Sequence, residues 1–354
     1  MSEPLKILIT GASGFIGSFL CEEGLKRGMN VWAGMRKSSS RKWLQNEWLQ
    51  FARLDMENPD TLRRQLSDLK QKIGRWDYVV HAAGATKCLH EADFDRANYD
   101  CTVNLVNALR ELDMTPRLFI YMSSLSVLGP VREPLHGMAP TDYEPLRDTD
   151  TPRPNTAYGR SKLKSEAWIQ TLPPTDFPFV ILRLTGVYGP RERDYFLQAQ
   201  SISRHIDFAV GFQPQVITFV YVADVVGTVY AAIQRTEEGK LERIAGRIYH
   251  VSDGQEYSSR AFSDYIQRDL GIRGVAHIKA PLWLLRAVCT VSERWARMRG
   301  KASTLNHDKY NILCQRNWKC DIGPLQERLE YTPEWNLERG TKETINWYRQ
   351  QGWL

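Results

Sequence analysis

Short apolar runs alternate with amphipathic segments over the first half of the chain. Five apolar runs predict β-strands, at residues 5–9, 30–35, 49–54, 77–80 and 118–122. Three segments with helical spacing of their apolar residues predict helices, at residues 18–27, 59–72 and 92–112. This β-α-β order predicts an α/β fold of the Rossmann type, a doubly wound parallel sheet with helices on both faces. Ligands of such folds bind at the carboxyl ends of the strands.

A glycine-rich turn, T-G-A-S-G-F-I-G at residues 10–17, joins the first predicted strand to the first helix. Gly11 allows the chain to turn sharply, Gly14 leaves room for a pyrophosphate, and Gly17 lets the helix pack closely on the sheet. The helix start offers free backbone N–H groups to phosphates. The spacing differs from the common G-x-G-x-x-G fingerprint, so an ordinary βα loop is the alternative interpretation.

Two basic residues follow the second predicted strand, about 20 residues after the glycine turn, where such folds meet the adenosine ribose. An acidic residue there would favour NAD, because it accepts hydrogen bonds from the ribose 2′-hydroxyl. Arg36 and Lys37 instead suit the 2′-phosphate of NADP(H). The sequence therefore favours NADP(H) over NAD(H), with a solvated basic loop as the alternative.

Tyr158 and Lys162 follow a long loop at residues 125–154 and begin a predicted helix that runs to about residue 170. Residues four apart share one face of a helix. A phenol has a reference pKa of about 10, and a neighbouring ammonium group stabilises its phenolate. Such a tyrosine can take a proton from an alcohol while a nicotinamide takes the hydride. Ser124, after the fifth predicted strand, can hydrogen-bond the substrate oxygen.

A set of motifs between about residues 5 and 230 follows the order of a known family. In chain order they are T-G-A-S-G-F-I-G, L-D-M, H-A-A-G, M-S-S-L-S-V-L-G, Y-G-R-S-K, R-L-T-G-V-Y-G-P and F-V-Y-V-A-D-V-V. In these motifs the chain resembles the extended short-chain dehydrogenase/reductase superfamily, in its NAD(P)-dependent epimerase/dehydratase family. The resemblance implies a catalytic triad of Ser124, Tyr158 and Lys162, with Tyr158 as the acid/base and Lys162 also holding the nicotinamide ribose.

The motifs and the resemblance together predict which residues bind ligands. The expected cofactor-binding residues are Gly11, Ser13, Gly14, Phe15, Ile16, Gly17, Arg36, Lys37, Asp55, Met56, Ala82, Ala83, Gly84, Asn98, Tyr158, Lys162, Leu184 and Val187. The expected substrate-binding residues are Thr86, Ser124, Gly186 and Arg191. Asn98 is expected to support the site from the neighbouring helix.

The expected function is hydride transfer at a secondary alcohol or ketone, such as that of a nucleotide sugar. The enzyme would be an epimerase or a net dehydrogenase/reductase. Sugar 4,6-dehydratases carry an Asp-Glu pair where this chain has Leu125 and Ser126, which disfavours dehydration. The alternative is a catalytically idle NADP(H)-binding redox sensor or interaction module.

The βαβ pattern weakens after residue 190, which predicts two domains. We expect residues 1–190 and 213–255 to form the NAD(P)-binding Rossmann domain, with a strand at 249–253 returning to its sheet. A smaller, mainly helical C-terminal lobe would comprise 191–212 and 256–354 and bind the substrate. Its amphipathic helix at 281–299 packs on the core, lines an apolar pocket or rests on a membrane surface; packing is favoured.

Composition narrows the choice of partners. The net charge is +6, but the basic residues form no stripe on one element. A small-molecule substrate is therefore expected rather than a nucleic acid. The six cysteines have no metal-binding spacing, so no metal site is expected. No apolar run is long enough for a signal peptide or an integral membrane segment, which predicts a cytoplasmic protein. The sequence leaves open whether the chain forms a homodimer.

Overall fold

A parallel β-sheet forms the centre of the protein. The computed structural model describes residues 3–135, 137–300, 303 and 305–354. The strands are β1 (Lys6–Thr10), β2 (Asn30–Met35), β3 (Gln50–Arg53), β4 (Tyr78–His81), β5 (Leu118–Ser124), β6 (Phe179–Leu184), β7 (Gly186–Tyr188), β8 (Ile206–Val210), β9 (Val216–Ile217), β10 (Phe219–Tyr221), β11 (Arg247–Val251), β12 (Tyr257–Ser258) and β13 (Ala276–Ala280). The central sheet has the order β11-β6-β5-β4-β1-β2-β3, and every neighbouring pair is parallel. The predicted Rossmann-type fold is confirmed.

Helices connect the strands of the central sheet and form much of the C-terminal third. They are α1 (Phe15–Lys26), α2 (Pro59–Ile73), α3 (Glu91–Phe94), α4 (Cys101–Glu111), α5 (Ala157–Ile169), α6 (Asp194–Ser203), α7 (Val222–Glu237), α8 (Leu241–Ile244), α9 (Ala261–Leu270), α10 (Leu282–Met298), α11 (His307–Cys314), α12 (Gly323–Arg328) and α13 (Leu337–Gln350). The helices predicted at 18–27 and 59–72 correspond to α1 and α2.

Alternate side chains of the central strands enter two separate cores. Ile7 and Ile9 of β1 pack in one core, while Leu8 between them packs in the other. Helices α1 and α7 contribute to the first core, and α2 and α4 contribute to the second. Because both faces of the sheet are covered, a ligand can reach the strands only at their ends.

The helix predicted at 92–112 is interrupted. It consists of α3, a π-helical turn at Asp95–Asp100, and α4. Such turns are frequent at functional sites, because the extra residue per turn displaces backbone groups from the regular helical pattern. This turn carries Asn98, which is fully buried.

The C-terminal third returns to the central sheet and also pairs short strands. The strand predicted at 249–253 is β11, which lies beside β6. Three two-stranded sheets join β7 to β10, β9 to β12 and β8 to β13. The helix predicted at 281–299 is α10. The division of the chain into a Rossmann domain and a substrate lobe stays a prediction.

In the described ranges, no helix combines the length and the apolar character that spanning a bilayer requires.

A buried ion pair holds α5 against the sheet. Nη2 of Arg183 lies 2.7 Å from Oε2 of Glu166, and the two side chains are 2% and 0% exposed. Ser123 Oγ donates a hydrogen bond of 2.5 Å to Glu166 Oε1. These contacts join α5 to β6 and β5 where no solvent reaches the charges.

The variant Glu166→Gln is expected to lower the free energy of unfolding by about 3–5 kcal/mol, because it leaves the Arg183 guanidinium buried without a counter-charge. The matched control is Glu91→Gln, which removes the carboxylate of the exposed pair between Arg160 and Glu91. Exposed pairs contribute about 0–1 kcal/mol, so the control should change little. Urea unfolding followed by circular dichroism measures both variants, and equal losses would contradict the prediction.

Candidate active site

The glycine turn is shaped so that only glycine fits at two of its positions. Gly11 has φ +67°, and a Cβ there would lie 2.7 Å from the backbone N of Ala83. A Cβ at Gly17 would lie 2.2 Å from the carbonyl oxygen of Gly11. The turn is thereby pressed against the end of β4, and the start of α1 is pressed against the turn.

The first turn of α1 is suited to bind a phosphate. The helix begins at Phe15 after Gly14, and no side chain in the described part of the chain caps it by a hydrogen bond. The early N–H groups of a helix have no intrahelical partners, and the helix dipole is positive at this end. The turn and the bare helix start therefore fit the pyrophosphate of a dinucleotide, as predicted for Gly11–Gly17 and Ser13.

His81 connects the glycine turn to the π-helical turn. Its Nδ1 lies 2.7 Å from Thr10 Oγ1, and its Nε2 lies 3.0 Å from Thr102 Oγ1. Thr10 Oγ1 also accepts a hydrogen bond from the N–H of Ala83, and Thr102 Oγ1 donates to the carbonyl oxygen of Asn98. Burial lowers the pKa of His81 to about 3, so the ring is neutral and acts as a structural bridge.

Asn98 links the loop after β4 to α5. Its Nδ2 donates to the carbonyl oxygen of Ala85 at 3.1 Å and to Ser161 Oγ at 2.9 Å. Its Oδ1 accepts the N–H of Ala85 at 2.8 Å. A Cβ at Gly84 would lie 2.7 Å from that oxygen, so the absence of a side chain at Gly84 is needed for the contact. Asn98 thus joins two elements of the candidate site, and the supporting role and the cofactor contact predicted for it stay predictions.

Lys162 is buried beneath the end of β5. Its Nζ donates a hydrogen bond of 2.9 Å to the carbonyl oxygen of Met122 and lies 4.8 Å from the centre of the Tyr121 ring. Burial lowers the pKa of Lys162 to about 8, and the carboxylate of Glu166 opposes that shift. The amine is therefore mostly protonated at neutral pH, and it places a positive charge below the site.

Tyr158 and Ser124 meet at the end of β5. Burial raises the pKa of Tyr158 to about 12, and a hydrogen bond with Ser124 opposes the shift. The Ser124 hydroxyl also lies 3.1 Å from Ser126 Oγ and accepts the N–H of Ser126 at 3.2 Å. The sequence-predicted triad residues therefore come together on β5 and α5, with Ser124 close enough to Tyr158 to influence the pKa of its phenol.

Gly159 allows α5 to approach the loop that carries Ser124. A Cβ at Gly159 would lie 2.5 Å from the carbonyl oxygen of Ser126. Any side chain at this position would push the helix away from the loop. The residue next to Tyr158 thus determines how closely the phenol and the serine hydroxyl can meet.

Asp308 of α11 caps the start of α5. Its Oδ1 accepts the N–H of Ala157 at 3.0 Å, and its Oδ2 accepts the N–H of Tyr158 at 3.1 Å. Asn311 adds a hydrogen bond of 2.7 Å from its Nδ2 to the carbonyl oxygen of Asn155. A carboxylate at a helix N-terminus is favourable both as an acceptor and as a negative charge. The C-terminal third of the chain therefore fixes the residue predicted to act as the acid/base.

The residues predicted to meet the adenosine lie after β2 and β3. The side chain of Arg36 is exposed, and its Nη1 lies 3.6 Å from Glu57 Oε1. Lys37 is exposed as well. Asp55 is exposed and Met56 is buried at the neighbouring strand end. These four side chains occupy adjacent strand ends, as expected for the adenosine side of a dinucleotide site.

A cleft of about 380 Å³ lies between the glycine turn and the start of α6. Residues on its walls include Ser13, Thr86 and Arg191. Lys87 Nζ lies 2.5 Å from Asp194 Oδ1 and joins the two sides of the cleft. Two predicted substrate residues, Thr86 and Arg191, are therefore next to the predicted phosphate site.

The guanidinium of Arg191 is directed at α1 rather than being free for an anion. It donates to Ser18 Oγ at 2.8 Å and to Glu22 Oε1 at 2.7 Å. Its Cζ lies 4.2 Å from the centre of the Phe19 ring. The backbone of Arg191 has φ +75°, so the turn is held in a strained conformation by these contacts. Arg191 thereby holds the segment after β7 against α1.

The remaining predicted residues lie on β6 and β7. Leu184 is buried in the core at the end of β6, and Val187 is partly buried in β7. A Cβ at Gly186 would lie 2.4 Å from the hydroxyl oxygen of Tyr195. Gly186 therefore makes room for a tyrosine of α6 beside the site. In the described residues, no group of His, Cys, Asp or Glu side chains is arranged to hold a metal ion.

Three supporting residues were missed by sequence reasoning. His81 lay inside a quoted motif, but its role depends on Thr10 and Thr102, which are distant in sequence. Asp308 lies 150 residues from Tyr158, and no local pattern marks it as a helix cap. Tyr195 fills the space that Gly186 leaves, and this pairing depends on how α6 docks on β7. A contact of this kind is visible only in three dimensions.

The fold and the arrangement of the site define a Rossmann-type dinucleotide-binding protein. A sequence profile of the NAD dependent epimerase/dehydratase family matches residues 7–251. The chain belongs to this family, and the resemblance inferred from its motifs is confirmed.

Related proteins of several activities match nearly the whole chain. A sterol-4-alpha-carboxylate 3-dehydrogenase (decarboxylating) of Saccharomyces cerevisiae is 22% identical, with 98% of this chain and 99% of the relative aligned. A UDP-glucose 4-epimerase of Vibrio cholerae is 25% identical, with 98% and 96% aligned. The crystal structure of UDP-glucuronic acid 4-epimerase from Bacillus cereus, in complex with NAD, superposes with a TM-score of 0.72 at 22% identity and covers 98% and 99% of the two chains. At this identity the structural likeness concerns the fold.

The variant Asp308→Ala is expected to loosen the start of α5, because two first-turn N–H groups lose their acceptor. The loss of a helix cap costs about 1–2 kcal/mol of stability. Hydrogen exchange of the peptide containing Ala157 and Tyr158 should accelerate, and thermal unfolding should shift downward. Asp308→Asn keeps one acceptor oxygen and should show a smaller effect. Unchanged exchange at these amides in Asp308→Ala would contradict the assignment.

Proposed function

We propose that the protein is an NADP(H)-dependent oxidoreductase that acts on a secondary alcohol or ketone with Tyr158 as the acid/base. The observation that supports this most directly is the proximity of Ser124 and Tyr158 at the end of β5, with the buried ammonium group of Lys162 bonded to the carbonyl oxygen of Met122 in the same strand. The site adjoins a glycine turn and an uncapped helix start that fit a dinucleotide. When bound, the nicotinamide supplies the acceptor or donor of the hydride.

Tyr158 holds the proton that is exchanged with the substrate oxygen. In reduction, its phenol donates this proton to the developing alkoxide, which agrees with a pKa of about 12. In oxidation, the same oxygen must accept a proton, and the positive charge of Lys162 on the same helix favours the phenolate. Each unit by which the pKa of Tyr158 falls corresponds to about 1.4 kcal/mol.

Ser124 orients the substrate oxygen toward the phenol. Its hydroxyl is held by the N–H of Ser126 and lies in contact with Tyr158, so a substrate oxygen bonded to both would sit in line for proton transfer. Leu125 offers no proton-transfer group beside it. This supports hydride transfer without dehydration, as a net dehydrogenase/reductase or as an epimerase.

The substrate would bind between the cofactor site and the C-terminal third. The relatives include a UDP-glucose 4-epimerase and a sterol-4-alpha-carboxylate 3-dehydrogenase. Both names describe reactions at an alcohol, which is the chemistry that the triad suits. We assign residues 1–190 and 213–255 to cofactor binding and 191–212 with 256–354 to a substrate lobe. The contacts of Asp308 and Arg191 with the cofactor-binding part support this division.

The variant Tyr158→Phe is expected to reduce turnover by about 100-fold or more, since acid/base catalysis contributes about 10²–10⁴-fold. Binding of the dinucleotide should change by no more than about twofold, because phenylalanine keeps the ring and removes only the proton donor. The assay follows nicotinamide absorbance with ketones, secondary alcohols and nucleotide sugars, with product analysis to detect epimerisation.

The matched control is Tyr265→Phe on α9, whose ring lies beside Arg268 and outside the site. It should retain full activity. Turnover of Tyr158→Phe at the rate of the unchanged protein would show that another group transfers the proton.

NADP(H) is expected to raise the melting temperature more than NAD(H) at equal concentration. Arg36→Glu should weaken NADP(H) binding by about tenfold, because one charged hydrogen bond is worth about 1.5–3 kcal/mol. It should leave NAD(H) binding within about twofold. Arg75→Glu is the control, since this exposed arginine precedes β4 at the opposite end of the sheet. Stronger stabilisation by NAD(H) than by NADP(H) would overturn the assigned cofactor.

A further inference from the structure

Helix α10 carries apolar residues on a buried face and on a separate exposed face. Leu285 and Cys289 face the protein and are buried. Spacings of four and three residues place five apolar side chains on the exposed face, which we call the outer stripe: Leu284, Val288, Val291, Trp295 and Met298. Met298 is 78% exposed. A helix that only packs on a core needs one apolar face, so the outer stripe requires a separate explanation.

The ribbon of β8 and β13 also turns its apolar face outward. Asp207 and His277 are paired on its inner side, where Asp207 accepts a hydrogen bond from Ser263. On the other side, Phe208 and Ile278 are directly opposite each other in the parallel register. Both are exposed, Phe208 by 61%. This outer ribbon face reverses the usual arrangement, in which apolar side chains point inward and polar ones outward.

The ribbon and α10 adjoin each other. Strand β13 ends at Ala280, and α10 begins at Leu282. Leu282 packs near Gly211, which follows β8; a Cβ at Gly211 would lie 3.5 Å from Leu282 Cδ2. Trp283 extends the apolar surface at this junction and is 71% exposed. Exposed apolar area of this extent on a folded protein marks an interaction site.

Two arginines, Arg294 and Arg299, lie beside the outer stripe. Between residues 282 and 301 the sequence contains five basic residues and one acidic residue, Glu293. Glu293 is directed toward α11, where its Oε2 accepts the N–H of His307 at 3.2 Å. Arg294 is three residues after Val291 and four before Met298, so it borders the stripe. The guanidinium of Arg299 lies 3.6 Å from the centre of the Trp295 ring.

We propose that the outer stripe and the outer ribbon face bind the surface of an anionic lipid bilayer. An amphipathic helix with tryptophan on its apolar side and arginine beside it lies in the plane of a membrane interface. The 17 residues of α10 provide about 25 Å of such contact. A second copy of the chain is a poorer occupant, because a symmetric contact would bring the arginines beside the stripe toward those of the second copy.

Docking through α10 would place the bilayer close to the site. Helix α10 packs against α11, and α11 carries the Asp308 cap of the helix that bears Tyr158. The inference concerns where the protein resides and does not depend on the proposed chemistry. It is therefore tested by binding rather than by turnover.

The experiment is co-sedimentation of the full-length protein with phosphatidylcholine vesicles that contain about 30% phosphatidylglycerol. We expect binding that is at least about tenfold stronger than to pure phosphatidylcholine and that weakens as salt is raised. The double variant Val291→Glu/Trp295→Glu should lose at least about tenfold in binding, since it places charges on the apolar face. The matched control Trp48→Glu alters an exposed tryptophan before β3 and should stay within about twofold.

Circular dichroism and thermal unfolding establish that the double variant is folded. A second variant, Arg294→Glu/Arg299→Glu, tests the charge contribution without altering the apolar residues of the stripe. Its binding to anionic vesicles should also fall. Absence of vesicle binding by the unchanged protein, or equal binding by all variants, would overturn the proposal. A different result would identify the face as a protein interface instead. In that case light scattering would show a dimer, the Val291→Glu/Trp295→Glu variant would dissociate it, and the unchanged protein would not bind vesicles.

Discussion

The position of α5 depends on buried polar groups that must all find partners. A buried donor or acceptor without a partner costs about 1–3 kcal/mol, and a buried charge costs more. Glu166 meets Arg183 and Ser123 below the helix, Lys162 meets the carbonyl oxygen of Met122, and Asp308 receives the first-turn N–H groups. Moving the helix by even about 1 Å would break several of these contacts at once, so the phenol of Tyr158 has little freedom relative to Ser124.

The same principle connects the glycine turn to the predicted catalytic residues. Thr10, at the start of the turn, is joined through neutral His81 to Thr102, and Thr102 bonds the carbonyl oxygen of Asn98. Asn98 in turn reaches Ser161 on α5. The phosphate end and the chemical end of the predicted site are thus fixed to each other by a chain of hydrogen bonds through the interior.

The sequence predicted the strands and the ends at which ligands bind, because apolar periodicity and glycine spacing are local properties. The predicted strands differ from β1–β5 by at most two residues at either end. The sequence did not reveal the π-helical turn at Asn98, because the pattern of backbone hydrogen bonds inside a helix does not change the spacing of its apolar residues. Nor did it reveal that Arg191 is engaged by Ser18 and Glu22, because such a pairing depends on how distant segments dock.

The Asp308 cap also has a consequence for how the chain becomes functional during its synthesis. Tyr158 leaves the ribosome 150 residues before the carboxylate that fixes its backbone. The central strands up to β6 can pair earlier, and the glycine turn after β1 can form at the same time. A nascent chain would therefore be able to hold a dinucleotide while the start of α5 has only its local Thr156 cap, and the residue proposed as the acid/base would gain the Asp308 contact only when the last sixth of the protein has docked.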